Sequence, residues 1–109
     1  MSITAIAWSY LVIAGLLEAL WAMGLKFSDG FTKPVPTIIT LILVISSFFL
    51  LSKSMKVLPV SVAYAVWCAI GIISLVIIEY FYSNTDLNLQ KIGSIFLIIV
   101  GIVGLKLSN

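Results

Sequence analysis

The sequence predicts an all-α integral membrane protein of four transmembrane helices, and three observations carry that prediction. Of its 109 residues, 62% are hydrophobic and only 9% charged, with a mean hydropathy of +1.27, far from the balance of a soluble domain. Four apolar stretches stand out, at about residues 3–25, 35–51, 57–78 and 89–107. At about 1.5 Å per residue, stretches of this size match a hydrocarbon layer roughly 30 Å thick. Short polar segments at 26–34, 52–56 and 79–88 join them. Almost nothing is left to stand outside the membrane, so residues 1–109 read as a single four-helix transmembrane domain.

Each element has its own signals. The first stretch, Ile3–Leu25, reaches roughly 34 Å as a helix. It is longer than a signal-peptide core and lacks a basic leader, so it reads as a retained span. The segment Ser28-Asp29-Gly30-Phe31 is turn chemistry. Pro34 and Pro36 follow at the start of the second span and Pro59 at the start of the third, where a missing N–H breaks no helical bond. Gly71, in the middle of the third span, is expected to serve as a bend. Ser83-Asn84-Thr85-Asp86 is the turn before the last span, with Asp86 or Thr85 expected as its N-cap. Lys91 and Lys106 flank that span and can snorkel towards the headgroups.

The lysines bear on orientation. With four spans, Lys53, Lys56 and Lys106 fall on one side of the membrane, and Lys26, Lys33 and Lys91 on the other. A chain without a bias in its Lys and Arg count has no preferred orientation. Insertion both ways would allow an antiparallel, dual-topology homodimer, the two-chain counterpart of the inverted repeats of many transporters. Four helices are too few to enclose a substrate path, which also favours a dimer. Ser94, Gly101 and Gly104 lie on one stripe of the fourth span. Small residues permit close helix contact in lipid, so this stripe is the expected dimer seam.

Composition also excludes functions. There is no His, a single Cys, and no phosphate-binding loop or metal-ligand cluster, so neither an enzyme nor a metal or organic cofactor is expected. A net charge of +2, dispersed along the chain, gives no footprint for nucleic acid.

One residue stands out instead. Glu18 lies within an otherwise uncharged span. An acid at such depth costs about 2.5–3.5 kcal/mol on insertion scales, which makes it a candidate protonatable binding group. Residues three and four apart share a helix face, and the face of Glu18 carries Leu11, Ala14, Gly15, Trp21, Ala22 and Leu25. The third span contributes Tyr64 and Trp67, and the second contributes Ser46 and Ser47 at mid-depth. One anionic group, aromatic faces and hydroxyl donors make a cation site. The plainer readings are a structural carboxyl between helices, packing aromatics, and serines bonded back to their own helix. Glu79 reads as interfacial and Cys68 as a small packing residue.

These residues carry a resemblance. The stretches Glu18-Ala-Leu-Trp-Ala-Met-Gly-Leu-Lys26, Phe27-Ser-Asp-Gly-Phe-Thr32, Leu58-Pro-Val-Ser-Val-Ala-Tyr-Ala-Val-Trp67 and Gly101-Ile-Val-Gly-Leu-Lys106 resemble the small multidrug resistance family of bacterial inner-membrane exporters. The resemblance covers the whole length. It implies an antiparallel dual-topology dimer that exchanges a small organic cation for protons, with Glu18 of both subunits binding one or the other. Trp21, three residues after the acid, and the Gly-Leu-Lys ending look most like the guanidinium-exporter branch. On that likeness Gly15, Glu18, Trp21, Ser47, Tyr64 and Trp67 fall on binding-site positions. Trp21 and Trp67 are expected to hold the face of the cation, and Ser47 to orient the carboxylate.

The third span departs from that branch. Ser61-Val62 and Cys68-Ala69 stand where the branch carries Gly-Thr and Thr-Gly, and Ser-Val before Ala-Tyr is similar to drug and polyamine exporters. Two alternatives therefore stay open: an exporter of quaternary ammonium or aromatic cations, and a non-transporting or accessory subunit. Some members pair with a different subunit, so the partner is either a second copy or a paralogue.

Overall fold

A computed structural model of the chain describes residues 2–83 and 86–108. Over these residues the chain forms four helices, α1 (Ile3–Phe27), α2 (Pro34–Ser54), α3 (Val60–Ser83) and α4 (Leu89–Ser108). All four are long and apolar enough to cross a membrane.

The helix ends differ from those of the apolar stretches by a few residues, and local bonds fix several of them. Ser2 Oγ accepts from the Ala5 N–H at 3.1 Å and starts α1. Pro34 and Pro36 sit in the first turn of α2. The third helix begins at Val60 instead of Val57. The N–H groups of Val57 and Leu58 turn back on the Ser54 carbonyl, and the Pro59 carbonyl accepts the first helical bond, from Ala63. Its other end extends through Tyr80, Phe81 and Tyr82 to Ser83. Amphipathic tyrosines suit the headgroup level, and Tyr82 meets Phe27 of α1 edge-on, centroids 5.6 Å apart.

The expected cap of α4 is corrected. Thr85 lies outside the described residues, and Asp86 is exposed three residues ahead of the helix. Asn88 caps instead, its Oδ1 accepting from the Lys91 N–H at 2.8 Å. Asn is as good an N-cap as Asp, and position decides. The turn between α1 and α2 is built on three consecutive left-handed residues, Asp29 (φ 49°), Gly30 (φ 71°) and Phe31 (φ 66°). Ser28, fully buried, holds it: its Oγ donates to the Leu25 carbonyl at 2.8 Å and accepts from the Phe31 N–H at 3.2 Å.

Packing centres on α1, which lies against both α2 and α3, while α2 and α3 touch little. Gly24 faces Thr40 and the Ala14 carbonyl faces Ser47, so α1 and α2 are antiparallel. Gly15 faces Ile70 and Phe27 faces Tyr82, so α1 and α3 run parallel. Between the three lies a core of Ala7, Leu11, Ala14, Leu51, Leu58, Ala63, Val66 and Trp67. The fourth helix buries no residue of its own. It rests on α3, Ile102 and Leu105 reach the edge of the core, and Lys106 Nζ lies 5.4 Å from the Trp8 ring centroid.

The lysines divide as the sequence predicts. Lys53 and Lys56 border a groove with Ile3, Ile6 and Tyr10 at the start of α1, where Lys106 also lies. Lys26 is in the last turn of α1, Lys33 precedes α2, and Lys91 begins α4, all at the opposite end.

Candidate functional site

The site is assembled where the middle of α1 meets α2 and α3. Glu18 projects from α1 against Gly71 of α3, where the absent side chain leaves room for its carboxyl. Its Oε1 is buried and meets no hydrogen-bond partner among the described residues, and the same is true of Trp21 Nε1 one turn further on. Nearly all buried polar groups are paired, because leaving one unpaired costs roughly 1–3 kcal/mol. Here two such atoms, one an acceptor and one a donor, lie one helical turn apart.

Around them stands an aromatic box drawn from three helices. Trp21 lies 6.5 Å from Trp67 and 6.3 Å, edge-on, from Phe48. Trp67 is in turn 5.7 Å from Phe48 and 5.3 Å from Tyr64. Trp67 is only 4% exposed and forms the floor, while Phe48 and Tyr64, at 50% and 53%, form an open rim.

Trp67 is fixed from behind. Its Nε1–H donates to Ser47 Oγ at 3.1 Å, and Ser47 Oγ donates to the Ala14 carbonyl at 2.8 Å. This buried hydroxyl ties α2 to α1 and α3 just one turn before Glu18. Ser46 is bonded back to Ile42 of its own helix; Ser47 is not. The expectation that Ser47 orients the carboxylate is not what the geometry gives in one chain. Its proton goes to a backbone carbonyl and its lone pair to an indole, so it orients Trp67.

The remaining sequence candidates fall in three places. Gly15 is buried at the crossing of α1 and α3, where a β-carbon would lie 2.7 Å from Ile70 Cβ. Gly71 belongs to an uninterrupted α3 and is the wall against Glu18. Ser94, Gly101 and Gly104 are on exposed α4, and Ser94 bonds back to Gln90. Around Gly101 and Gly104 the space is open within this chain. Sequence reading missed Phe48, which adjoins Ser47 and lies two helical turns before the end of α2. An aromatic next to a mid-span serine was its only signal. Among the described residues no group of His, Cys, Asp and Glu side chains could hold a metal ion.

Fold and site together define a multi-pass helical membrane protein with a half-buried acid, its Oε1 unpaired among the described residues, one helical turn from an aromatic box. The family model described as Small Multidrug Resistance protein matches residues 6–98. The chain is 48% identical over 103 residues to a guanidinium exporter of Yersinia pseudotuberculosis, covering 94% of this chain and 99% of that one. It is 46% identical to the guanidinium exporter of Escherichia coli K12, and 45% to that of Citrobacter freundii, each over 94% of this chain and 98% of the relative. The chain belongs to the small multidrug resistance family.

Proposed function

We propose that this chain is a proton-coupled antiporter of the bacterial inner membrane that exports small guanidinium-type cations. Glu18 binds the proton or the cation in alternation. The observation that carries the reading is the buried Glu18 Oε1, unpaired among the described residues, one helical turn from the Trp21–Phe48–Trp67 box. Near-full-length identity to relatives named guanidinium exporters supports it further.

The chemistry follows from what each group lacks. A carboxylate without donors is completed by a planar guanidinium, which offers parallel N–H bonds and a positive charge at once. Indole faces attract such a cation over their π-clouds, Trp more than Tyr or Phe. A proton completes the same carboxyl by neutralising it. The two ligands therefore exclude each other, and a site that opens to one side at a time exchanges them. The open rim at Phe48 and Tyr64 is a half-site, and an antiparallel second copy would close it and bring a second Glu18 to the cation. The even division of lysines is compatible with such a pair.

Guanidinium flux into vesicles of the purified chain, driven by a pH gradient, tests the reading. Flux is expected in the wild type and absent in Glu18→Gln. A response to tetrapropylammonium alone would transfer the substrate to the bulky cations, and silence to both would point to a second, different subunit.

A further inference from the structure

Where α1 and α3 cross, each helix fills a gap left by a glycine of the other. A β-carbon on Gly15 of α1 would lie 2.7 Å from both Cβ and Cγ2 of Ile70 on α3. At the next level a β-carbon on Gly71 of α3 would run into Oε1, Cδ and Cγ of Glu18 on α1. The two obstructions differ in kind. Ile70 branches at Cβ, which the backbone fixes, so only parting the helices would relieve the first. Glu18 ends in a rotatable arm, so the second is relieved by swinging the carboxyl away while the backbones stay in place.

We propose that Gly71 is a positioning residue for Glu18. Its missing side chain forms the recess on α3 that seats the carboxyl beside Trp21, and a side chain at 71 would lift the acid out of register with its cation. The geometry carries this seat because the space at Gly71, within the helix from Val60 to Ser83, is filled by the acid. The seat is a property of the fold; its consequence for cation binding rests on the proposed function.

The test uses the full chain in lipid nanodiscs, with guanidinium as probe, and compares wild type, G71A, E18D and G71A/E18D. Expected is an affinity about tenfold weaker in G71A at unchanged thermal stability, and a loss at least about threefold smaller when G71A is made in the E18D background, because neighbours that clash are not additive. An equal loss in both backgrounds, or full affinity in G71A, overturns the proposal. If G71A fails to fold but the double variant folds, the acid is the clashing partner and the seat stands; if neither folds, the glycine serves helix packing and the proposal falls. The 13C resonance of the Glu18 carboxyl gives a readout without substrate. It should move in G71A, and a fixed resonance overturns the seat. A moving resonance in a protein whose wild type ignores guanidinium would instead count against the substrate.

Discussion

At the scale of single residues the account rests on which polar atoms are paired. Ser47 uses both its donor and its acceptor on its neighbours, while Glu18 Oε1 and Trp21 Nε1 have no partner among the described residues. Hydrogen bonds between membrane helices average only about 0.6 kcal/mol, but leaving the Trp67 N–H buried and unpaired adds to that. Ser47→Ala is therefore expected to cost about 1–2 kcal/mol, read from unfolding in detergent, and to loosen Trp67, read from its fluorescence. An unchanged unfolding midpoint would deny Ser47 its role as tie. Much of this site is legible in the sequence, because an acid in an apolar span has no cheap explanation and Trp21 lies one turn away. Phe48 and the seat at Gly71 are not. Both depend on which face α2 and α3 turn towards α1, and spans apolar on every side carry no periodic signal to fix that rotation.

At the scale of elements, turns and crossings carry the specificity. The α1–α2 turn places Asp29 and Phe31 in left-handed backbone, a conformation costing roughly 1–2 kcal/mol per residue outside glycine. It is held by the buried Ser28 hydroxyl. Gly30→Ala at φ 71°, with open space around its Cβ, is expected to lower stability by about 1 kcal/mol through the backbone alone. Thermal unfolding checks this, and no change would mean the turn tolerates an L-residue there. The sequence announces this turn through Ser-Asp-Gly, and the helix starts at Pro34 and Pro36 through their missing N–H groups. It places the start of α4 at Leu89 but not its cap, because Thr85, Asp86 and Asn88 are all good caps and only the path of the chain selects among them.

At the scale of the whole molecule, the proposed function treats one chain as half of a pair. Two helices pack against α1, α4 rests on α3 and buries nothing of its own, and the rim of the aromatic box is open. Composition makes the four-helix membrane fold evident; the arrangement of two chains is not written in one. If insertion is governed by the three-against-three lysines, Ser52→Lys with Lys33→Gln should fix one orientation and abolish flux. Co-expression with an oppositely biased variant should restore it. Reporters on the termini would show the bias, and full activity in a chain of fixed orientation would contradict an antiparallel pair. The central claim is that one acid serves proton and cation in turn. The most direct measurement imposes a guanidinium gradient across proteoliposomes at zero membrane potential and follows internal pH. Protons moving against the cation flow, in the wild type and not in Glu18→Gln, is the predicted result. Guanidinium movement without any proton counterflow would contradict it.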